Sequence, residues 1–143
     1  MKKYHHNLVY DYTEYPTKAN WDYSMGDRAY RDALMDWFPK NVDQPVLFYV
    51  HTPFCEELCY FCLCSKEITN DYNKVKDYLN NYLFKEFDLL IELMETHNLN
   101  LLVEEIYMGG GSPTYYREKE FESLLDKMRS IIDFEKVKTF TVE

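Results

Sequence analysis

The run Val46 to His51, Val-Leu-Phe-Tyr-Val-His, is apolar on both faces of an extended chain and is bracketed by Pro45 and Pro53. Successive side chains of a strand point to opposite faces, so such a run asks for cover on two sides, the condition of a strand in a parallel sheet. No other feature narrows the fold as far. A second strand is expected at Val103 to Met108, running straight into Gly109, and a third at Lys138 to Glu143. Between them the spacing predicts a long helix from about Asn73 to Thr96, with Val75, Leu79, Tyr82, Leu83, Phe87, Leu90 and Met94 along one face. A further amphipathic helix is marked by Phe121, Leu124, Leu125, Met128 and Ile132. The order β, α, β, α, β predicts an α/β fold whose parallel strands are joined by right-handed crossovers.

Ahead of the first strand, a polar, tyrosine-rich lead ends in a short helix, with Tyr30, Ala33, Leu34 and Trp37 at i, i+3, i+4 and i+7 and a stop at Pro39. With no repeat, low-complexity tract or flexible linker, residues 1–45 are read as this lead segment and 46–143 as one incomplete core domain. Three strands and two helices leave both sheet edges unfilled, and a closed eight-stranded barrel takes about 250 residues. The chain is therefore expected to be a fragment of a larger unit, truncated after its third strand.

The balance of 16 Lys+Arg against 25 Asp+Glu, a formal charge of −9, argues against a nucleic-acid partner, since phosphate neutralisation needs clustered basic residues. No run approaches the roughly 18 apolar residues that span a bilayer. Met1 to Tyr12 has no apolar centre and fails as a secretory signal. All four cysteines lie between Cys55 and Cys64, where bridges would close only tiny loops, so reduced thiols and a cytoplasmic setting are expected.

Those cysteines occupy a stretch of about twenty residues without regular period, between the first strand and the long helix. The loop reads His51-Thr52-Pro53-Phe54-Cys55-Glu56-Glu57-Leu58-Cys59-Tyr60-Phe61-Cys62-Leu63-Cys64, a CxxxCxxCxC spacing. Several soft thiolates in one short loop can surround a metal centre and supply the order that secondary structure does not. Spacing leans toward iron and sulfide. A closed zinc knuckle using all four sulfurs stands as the rival, although Cys62 and Cys64 are closer than zinc ligands usually are. In an iron–sulfur cubane, three protein thiolates leave one iron open to a small molecule. The other cluster of scarce residues is Gly109, Gly110 and Gly111, three of the four glycines, at a strand's carboxyl end where backbone can approach a ligand. No GxGxxG fingerprint is present. The cysteine loop, the glycines and Glu143 follow the three strands in turn, and so share the end of the sheet where parallel α/β proteins build their sites.

Taken together, Tyr49-Val50-His51-Thr52-Pro53-Phe54-Cys55, Cys59-Tyr60-Phe61-Cys62-Leu63-Cys64 and Gly109-Gly110-Gly111-Ser112-Pro113-Thr114 resemble the radical S-adenosylmethionine enzymes. Within them the chain is similar to the oxygen-independent coproporphyrinogen III oxidase family. Tyr12-Thr13-Glu14-Tyr15-Pro16-Thr17 looks like the segment that precedes that family's barrel, and Thr139-Phe140-Thr141-Val142-Glu143 like its third strand. Cys64 favours this branch over the related haem chaperones. Thr52 and Ser112 stand where the family usually has Ile and Thr, and Ser112 keeps the hydroxyl.

The resemblance implies parallel β/α units of a partial (β/α) barrel of radical SAM type. It implies a [4Fe-4S] cluster held by Cys55, Cys59 and Cys62, and S-adenosyl-L-methionine contacted by Tyr49, Phe61, Gly110, Gly111, Ser112 and Glu143. Cys64 matches a family cysteine that is not a ligand, and its role is open. The implied reaction is reductive cleavage of the sulfonium to a hydrogen-abstracting radical, followed by loss of carbon dioxide from two propionates of coproporphyrinogen III to give protoporphyrinogen IX in haem synthesis. A tetrapyrrole substrate and an electron donor such as flavodoxin or ferredoxin are the implied partners. A related methyltransferase or haem-modifying enzyme and a haem-trafficking protein share these motifs. A tetracarboxylate asks for basic partners, yet the arginines are only Arg28, Arg31, Arg117 and Arg129, so the basic contacts are expected in sequence beyond this chain. His5, His6 and His97 are expected at the surface, Tyr78 and Tyr82 in a core stripe, and Glu118, Glu120 and Glu122 on a solvated face.

Overall fold

The computed structural model describes residues 24–143, so the Tyr12–Thr17 motif and the surface positions expected for His5 and His6 lie outside the described residues. Contacts divide the chain into two units after Trp37. In the first, helix α1 spans Asp27–Trp37, where the 3.6-residue spacing predicts one. The second unit begins with a 3-10 turn, Phe38–Lys40, that contains Pro39.

Three strands, β1 (Val46–Thr52), β4 (Val103–Gly110) and β5 (Thr139–Val142), form a parallel sheet in the order β1-β4-β5. In register, Tyr49 lies opposite Tyr107, which lies opposite Thr141, while His51 lies opposite Gly109. A one-residue irregularity in β4 separates the Val46–Val103 pair from Leu47–Glu105. β4 runs two residues further than expected, so Gly109 and Gly110 belong to the strand and only Gly111 lies beyond it.

Helical cover falls on one face. Val50, Ile106 and Met108 pack with Val75, Leu79, Leu83 and Phe87 of the long helix and with Leu124, Met128 and Ile132, all nearly inaccessible to solvent. The opposite face of β1 carries Leu47 and Tyr49, 53% and 50% exposed. Two-sided cover, expected from the apolar run, is therefore not met among the described residues. An apolar run signals that a strand tolerates cover on both faces and does not itself supply the element that gives it.

The long helix is continuous over three segments: α2 (Tyr72–Tyr78), a π-helical turn (Leu79–Leu83) and α3 (Phe84–Thr96). Asp71 caps it, its carboxylate accepting from the Asn73 amide at 3.0 Å. Its buried residues Val75, Leu79, Leu83 and Phe87 recur every four residues. In a regular α-helix each four-residue step drifts about 40° around the axis. The wider π turn takes up that drift. Sequence spacing alone puts Tyr82 on the buried stripe; within the π turn it stands 61% exposed, and Leu93 further on is buried instead. Tyr78, by contrast, turns inward, its ring edge-on to Phe54 at 5.5 Å.

Helix α4 spans Glu118–Arg129, with acids in its first turn and Lys127 and Arg129 in its last, the arrangement that complements the helix dipole. Glu120 departs from the expected solvated face. It accepts a hydrogen bond from the Tyr72 hydroxyl at 2.9 Å, and that hydroxyl accepts from the Arg117 amide at 2.7 Å. His97 ends α3 and is exposed, as expected.

Candidate functional site

Past β1 the chain does not dissolve into an irregular loop. Two short strands, β2 (Phe54–Cys55) and β3 (Glu67–Ile68), pair in parallel and close the cysteine loop at its base. Glu67 N donates to Pro53 O at 2.6 Å and Thr69 N to Cys55 O at 3.0 Å. Cys55 is thereby fixed to the scaffold, with the Ser112 hydroxyl 3.9 Å from its sulfur. Cys59 and Cys64 are exposed and Cys62 is half-buried; all four cysteines are free thiols.

His51 links sheet and loop. Its Nε2 is 2.8 Å from the Ser65 carbonyl, which can only accept, so Nε2 donates there, and its Nδ1 lies 3.0 Å from the Tyr49 hydroxyl. Tyr49 and Tyr107 lie side by side with ring centroids 5.9 Å apart. Tyr107 donates to Glu143 Oε1 at 2.5 Å. That bond is the main cause holding the Tyr107 phenol above its usual range. Burial, followed by the charges of Glu143 and Cys64, raises Tyr49 likewise. The Cys62 thiol is drawn down, chiefly by a hydrogen bond from the Cys64 backbone, whereas burial pushes the Cys64 thiol up.

Backbone packs closely at the glycines. Gly110 has φ of +106°, and a Cβ there would fall 2.4 Å from the His51 ring. One on Gly111 would fall 2.5 Å from the Phe54 carbonyl oxygen and 2.8 Å from that of Thr52. Those carbonyls accept from the amides of Ser112 and Gly111, which carries the parallel ladder past the strand end. Glu143 N likewise donates to Met108 O at 3.0 Å, bringing the Glu143 carboxylate over Gly109.

Tyr49, Gly110, Gly111, Ser112 and Glu143 are thus gathered at one end of the sheet with Cys55. Phe61, 86% exposed, and Cys59 stand out on the loop. Among the described residues no three Cys, His, Asp or Glu side chains stand together in a geometry that holds a metal ion. The donor chemistry nevertheless fits a thiolate-bound cluster: three free thiols at the right spacing, Cys62 drawn toward thiolate, and a strand end stripped of Cβ atoms beside Cys55. Sequence spacing alone does not single out Tyr107, although its position two residues before Gly109 and opposite Tyr49 is the signal that finds it.

Three relatives are similar to this chain in sequence. The chain is 35% identical over 133 residues to the oxygen-independent coproporphyrinogen III oxidase of Mannheimia haemolytica, covering 93% of this chain and 84% of that one. It is 33% identical to the enzyme of that name from Pseudomonas aeruginosa and 31% to that from Escherichia coli, covering 83% and 86% of this chain. It spans only 25% of the length of each of these two. A solved structure described as coproporphyrinogen III oxidase from Escherichia coli, a radical SAM enzyme, superposes with a TM-score of 0.73 at 29% identity, over 92% of this chain and 29% of that one. No family model matches. Fold and cysteine loop together define an α/β protein of the radical SAM type. More narrowly, the chain belongs to the oxygen-independent coproporphyrinogen III oxidase family.

Proposed function

We propose that this chain forms the cluster-binding and cofactor-binding part of an oxygen-independent coproporphyrinogen III oxidase, which decarboxylates coproporphyrinogen III to protoporphyrinogen IX in haem synthesis. The observation that carries it is convergence: the carboxyl ends of β1, β4 and β5 bring the cysteine loop, glycines and a carboxylate to one sheet end, in a chain of this family. Cys55, Cys59 and Cys62 would hold a [4Fe-4S] cluster, and Tyr49, Phe61, Gly110, Gly111, Ser112 and Glu143 would contact S-adenosyl-L-methionine. When bound, these groups supply reductive carbon–sulfur cleavage and hydrogen abstraction.

The protein's own part is placement. Gly110 and Gly111 let the strand end pack directly against the His51 ring and the Thr52 and Phe54 carbonyls, which seats the base of the cysteine loop. Glu143 spends Oε1 on Tyr107, which orients Oε2 over Gly109 as an acceptor for an ammonium group. The sheet face bearing Tyr49 and Tyr107, away from the helices, is the interior of a partial (β/α) barrel in this reading. Residues 46–143 are then part of the core domain and 1–45 its lead. Arg117 stacks on Tyr72 at 4.0 Å and Arg129 pairs with Asp126 at 2.7 Å, both engaged on the helical side. Basic contacts to a tetrapyrrole's carboxylates accordingly belong to the remaining length of such an enzyme. Four free thiols suit a reducing compartment, the cytoplasm, with flavodoxin or ferredoxin as electron donor. No helix among the described residues is long and apolar enough to cross a membrane.

Anaerobic reconstitution tests the reading. About four iron and four sulfide per chain are expected, with 5′-deoxyadenosine released on reduction in the presence of the cofactor. Zinc without iron or sulfide would overturn it. Cofactor cleavage in a full-length relative without protoporphyrinogen would remove the oxidase reading and leave radical chemistry standing.

A further inference from the structure

We infer that Lys66 is a positioning residue for the cysteine loop, its ammonium tying together the carbonyls of Cys62 and Cys64. Nζ donates to Cys62 O at 3.1 Å and to Cys64 O at 3.0 Å from a half-buried side chain. An ammonium carries three donors on one point charge, so it can serve two acceptors two residues apart, and bonds to a charged donor are the stronger kind.

No carboxylate competes for that charge. The adjacent Glu67 is paired with Lys74 at 2.6 Å, and among the described residues no carboxylate forms an ion pair with Lys66. The loop also needs the tie. Its base is closed by the bonds between β2 and β3, and its return limb is held at Ser65 by His51. Between those anchors, backbone bonding supplies a single turn, Cys62 N to Cys59 O at 3.1 Å. Without Lys66, the segment from Cys62 to Cys64 has no bond of its own carbonyls to the scaffold. The clamp fixes the chain path that presents Cys62, and it does so before any metal arrives. Its consequence for metal retention rests on the reading of Cys62 as a cluster ligand; its consequence for loop order does not.

The test compares the whole chain with its Lys66→Met and Lys66→Arg variants. In the metal-free protein, amide hydrogen exchange across residues 59–66 is expected to run about tenfold faster in Lys66→Met, with the sheet unchanged, and to return toward the parent rate in Lys66→Arg. After anaerobic reconstitution, iron loss to a chelator is expected to accelerate by a similar factor in Lys66→Met. Unchanged exchange in Lys66→Met overturns the clamp. Faster exchange with unchanged iron loss overturns its role in positioning a ligand. A parent chain that takes up no iron sinks the cluster reading instead, and the exchange arm still decides for or against the clamp.

Discussion

Gly111→Ala is the substitution whose effect the geometry fixes most tightly. The added methyl would sit 2.5 Å from Phe54 O and 2.8 Å from Thr52 O, whereas comfortable contact begins near ~3.5 Å. Both obstacles are backbone, so no side-chain rotation relieves them; the strand end and the start of the cysteine loop must separate by ~1 Å. The same two oxygens accept from Gly111 N at 2.6 Å and Ser112 N at 2.8 Å, and that separation breaks both bonds. At about 1 kcal/mol for each bond, with a further 1–3 kcal/mol for stranded polar groups, the loss is about 3–5 kcal/mol. Replacing glycine recovers about 0.5–1 kcal/mol through the less flexible unfolded chain. A net destabilisation of about 2–4.5 kcal/mol follows. Urea unfolding monitored by circular dichroism reads it as a midpoint lowered by roughly 1–2 M, given a slope of about 2 kcal/mol per molar. Gly26→Ala, where nothing stands within 4 Å of the new atom, is the control. If both variants melt alike, the close approach of Gly111 to the loop is refuted.

Gly110→Ala combines a φ of +106° with a collision against the His51 ring. Backbone strain alone costs roughly 1–2 kcal/mol. Displacing His51 should also release Ser65, seen as faster amide exchange in the cysteine loop than Gly111→Ala or any core variant produces. Burial pushes the Tyr116 phenol up to about 12, with the nearby Thr52 hydroxyl pulling the other way. Between pH 10 and 12 the unfolded chain gives up a proton that the folded chain keeps. Its stabilising contribution is therefore complete below pH 10 and drains away by about 2–3 kcal/mol as pH climbs to 12. Alkaline unfolding curves of Tyr116→Phe should be flatter in that window, and an unchanged slope would count against the burial. Leu124→Ala, at a site with 0% exposure, is expected to cost about 2–5 kcal/mol in the same urea assay, leaving the loop's exchange untouched.

What was legible in the sequence depended on how many residues shared a signal. The sheet strands announced themselves because four to eight consecutive residues carry one message, and prolines at 45 and 53 frame the first. β2 and β3 went unseen because a two-residue bridge has no period to read. Extension of β4 into Gly109 and Gly110 was hidden for a related reason: glycine is poor in strands on average, and here the close neighbours His51 and Glu143 demand it. Glu120 looked like a surface charge until the fold brought Tyr72 to it from 48 residues away. At the site, residue types and spacing pointed to the four-cysteine loop and the glycine run, and the family resemblance to Cys55, Cys59, Cys62 and Glu143, whereas Tyr107 and Lys66 act through contacts that only register and a folded loop create. The uncovered face of β1 belongs with these, since shielding is a property of the whole protein that a strand's own residues cannot describe.

The π turn at Leu79–Leu83 has one more consequence. It holds one residue beyond what an α-helical path between α2 and α3 requires, and Asn80 and Asn81 within it face solvent. A chain shortened by one residue at that point would bring the buried positions to alternating intervals of four and three, the natural cadence of a plain helix, with both halves keeping their seats on the sheet. Elsewhere along the same helix a single-residue change would rotate everything downstream by about 100° and turn the apolar stripe outward. Variation in length is thus confined to one turn.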